Sequence, residues 1–449
     1  MLNLGLLKRR LSPPQIIALS FAAAILAGAL LLRLPIMHAP GQTLSFLDAL
    51  FTATSAICVT GLIVVDTGSH FSRFGQALIM LLFQLGGFGI LTVGVLLALA
   101  SGRRVGFSER LRLQAQLNAL DVGGALRLLR VLLVTVASAE LLGAVLLYVR
   151  FRDLEGPQGG LFYALFHSVS AFNNAGFALY ADSLVGFVAD PLVSLTICAL
   201  ILIGGLGFFV VADLSARLGS KRRSPLSLHT KLALLSSVFL LIFGFVGVLV
   251  LEWLNPATLG GLPLLDKLLA GFFQTVTPRT AGFNTLDYAA MGLPAVLLII
   301  LLMFVGANPG STGGGIKTVT AFVLVGNAWS VIRGKGQLHL FGRRVAAETA
   351  QRAGVLALGG VLTVGVALFF LSITEPDKDL LDLLFESVSA FATVGLSLGI
   401  TGDLSASGKV IIILLMFVGR VGLLTAALAL VSREGGRRLD YPAEEVIVG

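Results

Sequence analysis

Four short stretches decide how this chain reads: SAICVTGL at residues 55–62, SAFNNAGF at 170–177, VTPRTAGF at 276–283 and SAFATVGL at 389–396. Aligned on Gly61, Gly176, Gly282 and Gly395, they share more than the glycine. A phenylalanine stands ten residues upstream in each copy (Phe51, Phe166, Phe272, Phe385). A serine stands six upstream in three of them (Ser55, Ser170, Ser389), while the third copy has Val276. Downstream, LMFVG ends at Gly306 and again at Gly419, each 24 residues past its glycine. The glycines are 115, 106 and 113 residues apart. A period near 110 is too long for a solenoid repeat and reads as four copies of one larger unit.

Each copy sits in the same surroundings. A spanning helix needs about 20 mostly apolar residues, and eight segments qualify: 15–34, 76–100, 128–149, 191–213, 231–254, 294–330, 353–373 and 408–431. Between the members of each successive pair lies a shorter apolar run of about 12 residues, too short to cross a bilayer and therefore re-entrant. The expected fold is an all-α polytopic membrane protein. Four pseudo-symmetric helix, pore-loop, helix repeats (1–114, 115–226, 227–345 and 346–449) surround one central pore.

Composition agrees. Of 449 residues, 56% are apolar and only 12% charged, and mean hydropathy is +0.95. A soluble domain carries about a quarter charged residues, so soluble enzymes, disordered chains and collagen-like fibres are excluded. Cys58 and Cys198 both lie in apolar runs, and five scattered histidines show no metal-ligand spacing. The start MLNLGLLKRR precedes an apolar run that ends at Arg33 without a cleavage pattern, which reads as an uncleaved first helix.

Charge gives orientation. Basic residues cluster before the first span (Lys8, Arg9, Arg10) and after the even ones: Arg103 to Arg130, Arg217 to Arg223, Arg333 to Arg352, and Arg433 to Arg438. Acidic residues gather in the opposite connections, at Asp153, Glu155, Asp182, Asp190, Asp377 and Asp379. The positive-inside rule then places both termini in the cytoplasm of a multi-pass plasma (inner) membrane protein and has the short helices enter from outside. The net charge of +8 follows from this topology and is no nucleic-acid footprint; lipid is the expected surrounding.

Irregular backbone at membrane depth is tolerated only where it is buried in protein or lines a watery cavity. Four equivalent half-helices, each followed by a short segment centred on glycine, would meet on a pseudo-fourfold axis. Their carbonyl oxygens can there replace the hydration shell of a cation. Glycine suits such a segment because it reaches backbone conformations that side chains forbid.

The order of helix, pore loop and helix, four times over, resembles the Trk/Ktr/HKT superfamily of potassium transporters. CVTGL, TPRTAGFNT, LMFVGANPGSTGGGIKT and LLMFVGRVG resemble its bacterial Ktr-type pore subunit over essentially the whole chain. The resemblance implies potassium uptake, with potassium as substrate and sodium as a possible activator. It also implies a homodimer, a reading supported by the ending YPAEEVIVG, and a cytosolic nucleotide-binding regulatory ring as partner. Carried over position by position, the filter comprises Val59, Thr60, Gly61; Asn174, Ala175, Gly176; Thr280, Ala281, Gly282; and Thr393, Val394, Gly395. In plant relatives a serine in place of the first glycine goes with sodium selectivity, so Gly61 implies potassium.

The sixth segment is interrupted by GANPGSTGGGIK. As a phosphate-binding loop it fails, since Ile316 separates Gly315 from Lys317 and no strand precedes it. One reading is a short cytoplasmic turn. The resemblance implies instead a gating loop below the filter, formed by Gly306, Asn308, Pro309, Gly310, Ser311, Thr312, Gly313, Gly314, Gly315 and Lys317. Arg420, one residue past Gly419 inside the eighth segment, is costly in a membrane and is expected to face the pore as an electrostatic barrier. Glu140 lies mid-span with no partner evident in the sequence. Arg279 and Glu386 flank filters and are candidates for fixing pore-loop geometry by pairing. With no cofactor motif, metal cluster or catalytic triad in the sequence, no enzyme is expected. An alternating-access cation symporter and a sodium-selective channel of the same fold are the rival readings.

Overall fold

The computed structural model describes residues 12–89, 122–218, 225–423 and 425–426. In chain order its main helices are α1 (Pro13–Leu32), α2 (Phe46–Ile57), α3 (Arg73–Phe88), α4 (Val122–Asn173), α5 (Pro191–Gly205), α6 (Phe208–Leu218) and α7 (Leu228–Glu252). Helix α4 parts at Gly156 (φ +73°), just before Pro157, into a long first arm and a short second arm that leads to Asn174. These are followed by α8 (Leu264–Val276), α9 (Leu293–Phe304), α10 (Thr318–Ile332), α11 (Ala347–Thr374), α12 (Leu380–Ala392) and α13 (Ala406–Val421). A two-residue antiparallel pair, His339–Leu340 with Arg343–Arg344, joins α10 to α11. The protein is helical and multi-pass.

Local signals start many of these helices. Ser45 Oγ accepts the Asp48 N–H at 3.1 Å at the head of α2, and Ser405 Oγ accepts that of Gly408 at 3.1 Å at the head of α13. Ser72, Asp190 and Ser227 cap α3, α5 and α7 in the same way. Such caps satisfy donors that the helix itself leaves free.

The long helices α1, α4, α7 and α11 turn large apolar side chains outward: Leu141, Phe239 and Phe369 are all exposed. The short helices are the reverse. From Phe51 to Ile57 every residue of α2 is buried, as is every residue of α12 from Phe385 to Ala392. Their buried sets include Thr52, Thr54, Ser55, Glu386, Ser387 and Ser389. An apolar exterior around a polar-rich interior is the arrangement a bilayer imposes on a chain that must keep polar groups away from lipid.

The eight expected spanning segments are not all unbroken helices among the described residues. Among the described residues, four helices are long and apolar enough to cross a membrane, or five if α5 and α6 count as one bent span. Segment 191–213 bends by 93° between α5 and α6, at Gly207 with φ +88°. Segment 294–330 parts into α9 and α10. Helix α3 stops at Phe88 before Gly89 (φ +79°), and α13 at Val421 before Gly422 (φ +89°). A left-handed glycine ends a helix at little steric cost. The predicted continuation to residue 100 lies outside the described residues, as do Lys8 to Arg10, Arg103 to Arg112, Lys221 to Arg223, Arg433 to Arg438 and the tail YPAEEVIVG.

The first and fourth quarters of the chain are clasped at the N-terminal ends of α2 and α13. Lys409 Nζ lies 2.8 Å from Asp48 Oδ1. Burial pulls the Asp48 carboxyl upward, but hydrogen bonds from Lys409 and Ser45 outweigh it and hold the group below its usual value.

Candidate functional site: a ring of left-handed backbone

Each short helix hands its chain to one of the segments expected to form the filter, through the same bonds. The backbone N–H of the middle filter residue donates back to a hydroxyl residue at the helix end: Thr60 to Ser55 O, Ala175 to Ser170 O and Val394 to Ser389 O, all at 2.8 Å. The hydroxyls complete the turn. Ser55 Oγ accepts the Gly61 N–H at 3.0 Å, and Ser389 Oγ accepts that of Gly395 at 3.1 Å. Ser170 Oγ donates to Phe177 O at 2.8 Å.

The third copy does this one residue later. Ala281 N–H donates to Thr277 O at 2.9 Å, and Thr277 Oγ1 donates to Phe283 O at 2.5 Å. The fully buried phenylalanine of α8 is likewise Phe273, not Phe272, which is only partly buried. Phe273 and Thr277 are spaced as Phe51 and Ser55 are, so Val276 is no exception to the pattern. The third copy instead has one residue fewer between its helix-end hydroxyl and its filter glycine. The Phe-to-hydroxyl spacing was a signal in the sequence; an ungapped alignment on glycine hides it.

The filter segments share a backbone that side chains rarely adopt. The first residue of each has positive φ: Val59 58°, Asn174 58°, Thr280 75° and Thr393 50°. The glycines follow at 94°, 71°, 81° and 91°. Three of the four first residues are β-branched, for which this region is a true outlier. Each costs on the order of 1–3 kcal/mol, and such strain persists where surrounding structure fixes it, characteristically at functional sites.

The segments close on one another in chain order. A Cβ placed on Gly61 would lie 2.5 Å from Ala175 O, one on Gly176 2.9 Å from Ala281 O, one on Gly282 2.5 Å from Val394 O, and one on Gly395 2.1 Å from Thr60 O. Each glycine therefore abuts the middle carbonyl of the next segment, and the fourth returns to the first. Only residues without a side chain allow this approach. All twelve sequence-derived filter residues lie in this ring, and all but Gly395 are buried.

A cavity of about 470 Å³ lies against the ring, lined by all four glycines together with Asp182 and Asp287. On the other side sits the loop between α9 and α10. Gly306 N–H donates to Ile316 O at 2.9 Å, closing the loop at its neck. Its tip is pressed onto the filters: a Cβ on Gly313 would lie 2.0 Å from Thr280 Oγ1, and one on Gly314 2.2 Å from Thr393 Oγ1. The loop is tied to the bend after α5 as well. Asn308 N–H donates to Gly205 O at 3.2 Å, and Phe208 N–H to Gly310 O at 2.9 Å. Pro309, Ser311 and Gly315 are partly buried, and Thr312 is buried with its Oγ1 3.3 Å from Gly204 O.

Two cations hold this loop. Lys317 Nζ donates to the Gly313 and Gly314 carbonyls, and Arg420 donates to Thr312 O and Gly86 O. Both line a second cavity of about 310 Å³ with Gly86, Gly313 and Gly419. Helices α3, α5 and α13 press the site from outside by one shared device. A Cβ on Gly86, Gly204 or Gly419 would come within 2.1, 1.9 and 2.0 Å of the carbonyls of Ile57, Phe172 and Phe391, each four residues before a filter glycine. Sequence reading missed Gly86 and Gly204, because connections of different length hide any fixed offset.

Of the remaining candidates, Glu140 has partners. Its carboxylate accepts from Asn173 Nδ2 at 3.1 Å and from Gln84 Nε2 at 3.3 Å, joining α3 to the residue before the second filter. Arg279 and Glu386 do not pair with each other. Arg279 Nη2 donates to Ser237 Oγ at 3.0 Å, and Glu386 Oε1 accepts from Thr401 Oγ1 at 2.6 Å. No cluster of three or more metal-ligating side chains occurs among the described residues.

Comparison with known proteins gives this geometry its setting. The chain is 43% identical over 440 residues to the Ktr system potassium uptake protein B of Bacillus subtilis, covering 98% of this chain and 97% of that one. It is also 43% identical over 441 residues to the protein of the same name from Vibrio alginolyticus, covering 97% and 95%. The crystal structure of the potassium transporter TrkH from Vibrio parahaemolyticus has the same fold, with a TM-score of 0.72 over 93% of this chain and 84% of that one at 21% identity. The model of the TrkH cation transport protein family matches residues 14–436, and the chain belongs to that family.

Proposed function

We propose that the chain is the potassium-translocating subunit of a Ktr-type uptake system in the bacterial inner membrane and is not an enzyme. The observation that carries this reading is the ring of four left-handed segments, closed in chain order and set between two cavities. Strained, buried backbone of this kind is expensive, and presenting carbonyl oxygens to a dehydrated cation is a use that accounts for it. Potassium is the ion favoured by the relatives' names and by Gly61.

In this reading the four units 1–114, 115–226, 227–345 and 346–449 surround one pore with eight membrane crossings, several of them broken. Cations enter the cavity beside Asp182 and Asp287. They shed water in the ring formed by Val59 to Gly61, Asn174 to Gly176, Thr280 to Gly282 and Thr393 to Gly395. They leave past the loop 306–317 when it moves. Lys317 and Arg420 place two positive charges beneath the filter, an electrostatic barrier to cations while the loop is seated. Passage is downhill along the electrochemical gradient and needs no cofactor in this chain, with sodium acting as a stimulating ion. Both termini are cytoplasmic, and the chain works as a homodimer on a cytosolic nucleotide-binding ring.

The test is potassium-limited growth of an uptake-deficient bacterium carrying this chain and its regulator, with and without sodium. Rescue by the wild type, with weaker rescue by Gly61→Ser, is expected. Failure of a membrane-expressed wild type to rescue would overturn the reading.

A further inference from the structure

Ser237, buried in α7, belongs to neither the ring nor the loop, yet its hydroxyl binds both Arg279, the residue before the third ring segment, and Asn308 of the loop. Ser237 Oγ accepts from Arg279 Nη2 at 3.0 Å and from Asn308 Nδ2 at 2.9 Å. A hydroxyl oxygen has two lone pairs, so both are engaged. Arg279 directly precedes Thr280, the strained first residue of the third filter, and its guanidinium is buried with Nε unpartnered. The bond to Ser237 is the one hydrogen bond its side chain makes among the described residues. Asn308 is fully buried in the loop, where its Oδ1 accepts from Thr318 Oγ1 at the start of α10 and its backbone N–H binds α5.

We propose that Ser237 is a positioning residue that couples loop position to filter geometry in the third repeat. A loop that moves away takes the Asn308 amide off Ser237. The hydroxyl is then free to reorient around Arg279, whose buried charge has no second acceptor to hold it. An unpaired buried charge is costly, so the backbone at Arg279 and Thr280 adjusts. Selectivity and gating are thereby linked through one oxygen atom. The inference rests on the filter and gate reading given above.

The experiment measures rubidium uptake and its competition by sodium in the full chain with its regulator, together with the yield of folded protein. Asn308→Ala, a loop substitution, is expected to change rubidium-over-sodium discrimination roughly threefold to tenfold, the loss of one hydrogen bond. In a Ser237→Ala background the same substitution should change it no further, a non-additive cycle. Ser237→Thr should restore coupling. If Ser237→Ala does not fold, Ser237→Cys keeps the volume with a weak acceptor and serves in its place. Additive effects, or an Asn308→Ala variant with altered flux but unchanged discrimination, would overturn the proposal. Unchanged discrimination in Gly61→Ser, run alongside, would instead bring down the filter reading itself.

Discussion

Arg420, in the last turn of α13, donates to the carbonyl of Thr312, 108 residues earlier in the loop that follows α9. Its other terminal nitrogen donates to Gly86 O at the end of α3. One guanidinium thus pins the loop to helices from opposite ends of the chain. Hydrogen bonds to a charged group contribute roughly 1.5–3 kcal/mol each. Arg420→Ala should therefore release the loop and raise resting rubidium uptake about tenfold, with Arg420→Lys intermediate because one ammonium cannot span both carbonyls as a planar fork does. Uptake at wild-type level in both variants would remove Arg420 from the gate.

Gly61 faces a backbone carbonyl, not open space. A Cβ there would sit 2.5 Å from Ala175 O and 2.9 Å from Gly176 Cα, at φ +94°. Gly61→Ser must therefore displace the neighbouring filter segment. Potassium-over-sodium discrimination, read by sodium competition of rubidium uptake, is expected to fall tenfold or more, since a shift of about 1.4 kcal/mol suffices.

The one-residue offset in the third copy makes a prediction that the ungapped alignment does not. Thr277→Val removes the bond to Phe283 O and should lower stability by about 1 kcal/mol. Val276→Thr, which would restore the serine-like residue at the aligned position, should leave stability within about 0.5 kcal/mol. Thermal unfolding of both variants in detergent decides this, and the reverse ranking would refute the offset.

Gly86, Gly204 and Gly419 carry the packing of three helices onto the ends of the short helices. Alanine at any of them would bring a Cβ to 2.1 Å or less from a backbone carbonyl. Backbone shifts of this kind cost typically 1–3 kcal/mol, and here they fall next to strained filter residues. All three variants should give less monodisperse protein in size-exclusion chromatography than Gly365→Ala, whose Cβ would meet nothing within 4 Å.

The sequence by itself determined the class of the molecule and the common register of its four glycines. Apolar runs of fixed length are set by bilayer thickness, and four glycines in one register are set by a backbone that excludes side chains. The four aligned glycines were therefore legible from spacing, and so was the interrupted segment around Pro309, whereas Val59 to Gly61 and the three counterpart triplets were assigned through the family resemblance. Tertiary structure decided the rest. Where α3, α5 and α13 end goes with a positive φ at a single glycine, Gly89, Gly207 or Gly422, and 53 glycines in a sequence do not announce which of them turn. The offset at Thr277 emerged from hydrogen bonds that the alignment on Gly282 concealed. The partners of Arg420, Arg279 and Glu140 lie between 33 and 334 residues away. Sequence showed that such charges must be met inside a membrane; only the packed helices supplied the carbonyl, hydroxyl or amide that meets each one.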